Sequence, residues 1–139
     1  MYPEELVAPM RAELTDVGFK EFRSAEDVDN HLKNHKGTTF IVVNSVCGCA
    51  AGAARPGVKY ALEESDAKPD VLATVFAGND TEAVAKVREY SLPYPPSSPA
   101  MAMFKDGELV HFIERHHIEG RNAKIIGDHL VEVFENFCK

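Results

Sequence analysis

The sequence predicts an α/β domain in which a central mixed β-sheet is flanked by helices and preceded by an extra N-terminal helical segment. Three observations lead there. Thr38 to Val43 and Val71 to Ala77 are apolar, β-branched runs without polar alternation, the character of strands buried on both faces. A segment of helix length separates them, so strand, helix and strand form a right-handed βαβ unit with its strands parallel. Ala100 to Phe104 and Glu108 to Ile113 flank Lys105-Asp106-Gly107, a turn of the Asp-Gly kind, and so form an antiparallel hairpin.

A chain of 139 residues, 45% of them hydrophobic, has room for one domain with a real core. We expect a single domain over residues 1–139, with 1–37 as a helical extension and 38–139 as the core. The 22 acidic against 15 basic residues give a formal charge of −7, which repels phosphate backbones and anionic lipid surfaces, so neither nucleic acid nor membrane is an expected partner. No window approaches the roughly 18 apolar residues of a membrane span, and Met1-Tyr2-Pro3-Glu4-Glu5 is acidic where a signal peptide is basic. The expected location is the cytoplasm. Three cysteines are odd in number and too few for a secreted disulfide framework.

From the N-terminus, Leu6, Met10, Leu14 and Val17 fall on one face of an amphipathic helix, which Pro9 should bend or interrupt and Gly18 ends. Phe19 to Phe22 can form a short strand. Ser24 and Asp27 resemble a capping box that opens a helix carrying Val28 and Leu32 inward and ending near Gly37. The helix from Ala50 to Glu63 aligns Ala50, Ala54, Val58, Ala61 and Leu62 along one stripe, and Pro56 should kink it by removing the bond to the Gly52 carbonyl. Asn79 or Asp80 caps a helix through Tyr90 whose inward residues are Ala83, Val84 and Val87. Pro93, Pro95, Pro96 and Pro99 make a rigid loop. From a start near Asn122, Ile125, Ile126, Leu130, Val133, Phe134 and Phe137 recur at helical spacing.

The chemistry is expected at Cys47-Gly48-Cys49, two thiols one residue apart where the first long strand turns into its helix. A thiol at the first turn of a helix faces unpaired backbone N–H groups and the positive end of the macrodipole, and both favour thiolate. Cys47 is the better nucleophile, because the first cysteine of such a junction points out over the helix while the second is drawn into it. Cys49 is then the resolving thiol. A disulfide between cysteines so close is expected to be strained, hence labile and oxidising. Gly48 removes bulk between the sulfurs and permits backbone angles a Cβ forbids.

The order of elements, with a thiol pair at the first strand-to-helix turn and a proline just before the third long strand, is the thioredoxin-like arrangement. Within it, Ser45-Val46-Cys47-Gly48-Cys49-Ala50-Ala51-Gly52 and the following Ala54-Arg55-Pro56 resemble the bacilliredoxin family. The resemblance extends to Val7-Ala8-Pro9-Met10-Arg11, Val75-Phe76-Ala77-Gly78, Pro96-Ser97-Ser98-Pro99, Val110-His111-Phe112-Ile113 and Ile118-Glu119-Gly120. His117 departs from it, standing where the family is expected to carry an acidic residue. The resemblance implies that Cys47 takes the bacillithiol moiety from a modified client cysteine and that Cys49 or a second bacillithiol clears it; it also allows disulfide isomerase activity. The implied partners are thiolated client proteins and a low-molecular-weight thiol, with bacillithiol as co-substrate and no tightly bound cofactor. Ser98-Pro99 matches the position where thioredoxin folds keep a cis proline, which presents the backbone of residue 98 to a client and keeps metals off the thiols.

Other residues have plainer roles. A metal site on Cys47 and Cys49 lacks a second ligand pair and the usual spacing of a structural zinc centre, and a partner-binding module without turnover has no need of two oxidisable thiols. His116 and His117 read as solvated loop residues, His111 and His129 as partly buried structural histidines, and His31 and His35 as residues without a role. Cys138 reads as a spare thiol packed as a small apolar group, Arg55 as a surface or salt-bridge residue, and Tyr60, Met101 and Met103 as packing.

Overall fold

The computed structural model describes residues 1–139. Five strands form one mixed sheet: β1 (Lys20–Glu21), β2 (Thr38–Asn44), β3 (Val71–Phe76), β4 (Ala100–Lys105) and β5 (Glu108–Ile113), in the order β1-β3-β2-β4-β5. β1 and β2 both run parallel to β3, whereas β2 and β4, and β4 and β5, are antiparallel. The central strand β2 is therefore paired on both sides and buried at all seven of its residues.

The missing polar alternation in β2 has the physical cause expected of it, since both faces are covered. Phe40 and Val42 point into one apolar cluster with Met101, Met103, Val58, Leu130 and Phe134. Ile41 and Val43 point into a second, with Val28, Leu32, Ala83, Val84 and Phe104. On the first face lie α1 (Glu4–Thr15), α3 (Arg55–Glu64) and α6 (Ala123–Phe137); on the second lie α2 (Ala25–Asn34) and α4 (Thr81–Tyr90). A single helical turn, α5 (Arg115–Ile118), follows β5. Residues 1–37 thus supply an edge strand of the sheet as well as two helices. No helix is long and apolar enough to cross a membrane.

Local chemistry explains most boundaries. The Ser24 hydroxyl accepts from the Asp27 N–H at 3.1 Å, and the Asp27 carboxylate reaches back to the Arg23 N–H. Asn122 caps α6 through Ile125 N–H at 2.9 Å. The Asp106-Gly107 turn joining β4 to β5 has φ of 52° and 82°, the primed geometry that matches strand twist.

Several expectations require correction. Helix α1 runs unbroken through Pro9, which lies on its exposed face, so the bond lost there is on the solvent side. Its inward face is Val7, Arg11 and Leu14, not Leu6, Met10 and Val17; Leu6 and Val17 are exposed. Arg11 pulls the helix round by pairing with Asp80 at 2.9 Å and with Glu4 and Glu21. Asp80 stands at the start of α4 without capping it, since its carboxylate is held by Arg11, Arg23 and the Phe76 N–H. Ile125 is exposed, leaving Ile126, Leu130, Val133 and Phe134 as the inward stripe of α6.

Candidate active site

Strand β2 ends at Asn44, a buried residue that begins the thiol turn. Its side-chain oxygen accepts from the Ser45 N–H and from Arg55 Nη1, both at 2.9 Å, and its amide nitrogen donates to the Met10 carbonyl at 3.1 Å. The Ser45 hydroxyl then accepts from the Cys47 N–H at 3.3 Å. The Cys47 carbonyl takes the first helical bonds, from the Ala50 and Ala51 N–H groups. Cys47 therefore stands immediately before a helix, as the spacing predicts.

That helix leaves the α-form after Gly48 and Cys49. Ala50–Ala54 form a π-helical turn, and α3 starts at Arg55 with Pro56 in its first turn. Proline has no N–H to donate and is pre-set for a first helical position, so the chain accommodates it by widening the preceding turn where the sequence predicts a kink.

Of the two roles expected for Arg55, surface or salt-bridge residue, the salt bridge is present and the surface placement is not. Arg55 is 2% exposed, with Nη1 donating to Asn44 Oδ1 and to the Ser45 carbonyl at 2.8 Å, and Nε paired with Glu13 at 3.0 Å. Three elements are locked together by one side chain. The sequence signal for this was weak: an arginine one helical turn inside an alanine-rich stretch reads equally as a solvent charge.

Cys47 and Cys49 are free thiols whose sulfurs lie 2.7 Å apart in hydrogen-bonding contact. Their environments pull in opposite directions. Burial pushes the Cys47 thiol up, but the hydrogen bonds from Cys49, the Ala50 N–H and the Ser45 hydroxyl outweigh it and leave Cys47 below the ordinary thiol range. Burial also pushes Cys49 up, and there the bond to Cys47 and the charge of its thiolate add to the rise, against a smaller lowering by Arg115. One proton shared by the pair thus rests on Cys49. Gly48 is exposed between them; a Cβ there would meet nothing within 4 Å, and its φ is not in the left-handed region.

The Ser98-Pro99 bond is cis, as is Leu92-Pro93 in the same loop. Pro99 is buried, and the Ser98 carbonyl accepts from Arg115 Nη1 at 3.1 Å while the Ser97 hydroxyl accepts from the Arg115 N–H at 3.2 Å. Arg115 is the residue that sequence reasoning passed over. Its guanidinium, held above its ordinary range by Glu119 first and then by Cys47 and Cys49, links the proline loop electrostatically to the thiols. Only its place just after β5 could have pointed to it.

The remaining candidates lie apart. His116 and His117 are exposed and cluster with Glu114, the one group of three potential metal ligands; neither cysteine belongs to such a group. His111 and His129 meet at 3.2 Å beside a cavity of about 360 Å³ between β5 and α6 that contains no residue of the thiol turn or of Ser98-Pro99. Cys138 contacts Thr38, at the opposite end of β2 from Cys47, and burial pushes its thiol up.

A family described as disulphide isomerase matches residues 2–138. A bacilliredoxin of Cytophaga hutchinsonii is 63% identical over 135 residues, covering 97% of this chain and 98% of the relative. One of Geobacillus kaustophilus is 51% identical, covering 99% and 94%. Among solved structures, Fasciola hepatica thioredoxin superposes with a TM-score of 0.59 at 21% identity, over 86% of this chain and 99% of that one. A mutant thioredoxin of Halobacterium salinarum NRC-1 gives 0.60 at 17%, over 88% and 92%. A thioredoxin fold with this thiol turn among such relatives is a thiol–disulfide oxidoreductase, and the chain belongs to the bacilliredoxin family.

Proposed function

We propose that this oxidoreductase removes a low-molecular-weight thiol, bacillithiol, from mixed disulfides on client proteins. The observation that carries the reading is the unequal pair: a lowered Cys47 in contact with a raised Cys49. The Cys47 thiolate attacks the sulfur of the small-thiol moiety. A bond forms from Cys47 to that sulfur, the bond to the client sulfur breaks, and the departing client thiolate takes up a proton. Cys49, having kept its proton through the first step, then loses it and attacks Cys47, expelling the small thiol and closing a Cys47–Cys49 disulfide. A second bacillithiol can clear the adduct instead. Ser98 and Pro99 would present client-binding backbone beside the thiols, with Gly48 leaving the approach between them open.

The choice of bacillithiol rests on the relatives, which carry the name bacilliredoxin. The family description also names disulphide isomerase, and the same attack directed at a protein disulfide would give that activity.

Mass spectrometry of single-cysteine variants after reaction with a bacillithiol-modified client tests this, with glutathione- and coenzyme A-modified clients beside it. Cys47→Ser should release no small thiol, and Cys49→Ala should accumulate the adduct on Cys47. The reverse pattern would exchange the two roles, and equal turnover of all three adducts would remove bacillithiol as the specific partner.

A further inference from the structure

We propose that a cavity beside the thiol turn is the binding site for the non-sulfur end of the small thiol, that this end bears a carboxylate and hydroxyl groups, and that Arg88 anchors its charge. This rests on the dethiolation reading above.

The cavity, of about 280 Å³, is bounded by Tyr2, Ser45, Gly78, Thr81, Arg88 and Ser98 among others. Four chain segments meet in it: the N-terminus at Tyr2, the turn into Cys47, the residue before Pro99, and the connection from β3 into α4. Its volume stands at the lower edge of small-ligand sites, suited to part of a ligand whose remainder is outside. Ser45 is two residues from Cys47, a span of at most about 7 Å of chain. A molecule seated in the cavity can therefore hold its sulfur at the reacting thiol.

The lining chemistry selects an anion. Arg88 forms no ion pair in a protein of charge −7, and its Nε is buried with no hydrogen-bond partner. Leaving a buried charged donor unsatisfied costs more than an ordinary hydrogen bond contributes, so the site favours a ligand that completes it. No lining residue is acidic. Asp80, the nearest carboxylate along the chain, is committed to Arg11, Arg23 and the Phe76 N–H. Tyr2, Thr81 and Ser98 add three hydroxyls, and a fourth, that of Ser45, is engaged with Cys47. The Tyr2 wall is fixed in place by paired bonds between its backbone and the Asn79 side chain at 2.9 and 3.0 Å.

Such a site decides which of two sulfurs is attacked. Attack on the small thiol's sulfur frees the client, whereas attack on the client's sulfur leaves the client tied to Cys47. Seating the small-thiol end beside Ser45 brings the former sulfur nearest.

The test compares one client carrying either bacillithiol, which bears carboxylates, or cysteamine, which bears none. In Arg88→Gln the ratio of kcat/KM for the bacillithiol adduct to that for the cysteamine adduct should fall about tenfold or more, through KM, the size of one charge-assisted hydrogen bond. Arg88→Lys should recover part of it. A ratio unchanged in Arg88→Gln overturns the proposal. Independently of that variant, S-methyl bacillithiol and S-methyl glutathione titrated into wild-type protein should shift the amide resonances of Ser45, Gly78, Thr81 and Ser98, and S-methyl cysteamine should not. No shift at those residues overturns the proposal as well. If the S-methyl probes bind there while no adduct is turned over, the cavity stands and dethiolation fails.

Discussion

Arg55 Nη1 donates to the Ser45 carbonyl at 2.8 Å from a position inside the core, so the helix that follows the cysteines grips the strand end that precedes them. The turn carrying Cys47 is closed from behind by a charge whose partner, Glu13, comes from α1. Arg55→Ala removes three hydrogen bonds, taking the Arg55 donor from the buried Ser45 carbonyl and leaving Asn44 Oδ1 with the Ser45 N–H alone. It should cost about 3 kcal/mol, measured as a lower urea midpoint. Because the Ser45 hydroxyl then loses its fixed position over Cys47, the thiolate absorbance of Cys47 should appear at higher pH.

Arg115 acts on the second step of the reaction. Its charge lowers Cys49 against the stronger raising effects of burial and of Cys47. Arg115→Gln should push Cys49 further up, so release of small thiol from a preformed Cys47 adduct slows by about threefold near neutral pH and its pH profile moves to higher pH. Arg115→Lys, which keeps the charge, should hold the profile in place. Stopped-flow release measured from pH 6 to 10 reads both.

His31 makes the fold acid-sensitive. Burial first, then the charges of Lys20 and His35, lower it from the ordinary 6.5 to about 4. The folded state therefore prefers neutral His31, and the unfolded chain binds the proton more readily. Its contribution is complete above pH 6.5 and lost as pH falls toward about 4. His31→Gln can keep a bond to Thr39, now 2.8 Å from His31 Nε2, without titrating. Its urea midpoint should fall less steeply than that of wild type between those pH values.

Helices α3 and α6 touch almost backbone to backbone. A Cβ on Gly57 would lie 2.8 Å from Ile126 Cγ2 and 3.1 Å from the Ala123 carbonyl, and one on Gly127 would lie 3.1 Å from the Gly57 carbonyl. Gly57→Ala should destabilise by about 1–3 kcal/mol despite alanine's better helix propensity, because the clash includes main-chain atoms that cannot rotate away. Thermal unfolding of the variant checks it.

Strand character, hairpin, caps and the thiol turn were legible because each has a local cause: polar alternation absent where both faces are buried, Asp-Gly at a tight turn, Ser24 and Asn122 ahead of apolar periodicity. What escaped depends on pairs far apart in the chain. The face of α1 is set by Arg11 meeting Asp80, 69 residues away, and not by its own apolar spacing. Arg55 is buried because Asn44, Ser45 and Glu13 converge on it, and Arg115 matters because β5 ends beside the proline loop. A charged side chain carries no mark in the sequence of whether a partner awaits it.

The thiol turn is mounted on β2, whose neighbours β3 and β4 grip it from both edges, while α3 is pinned at glycine contacts against α6. Neither the strand nor the helix has room to recoil when the sulfurs change partners. The exchange of sulfur partners is thereby left to the short turn from Val46 to Cys49, between a strand end held by Arg55 and a helix held against α6.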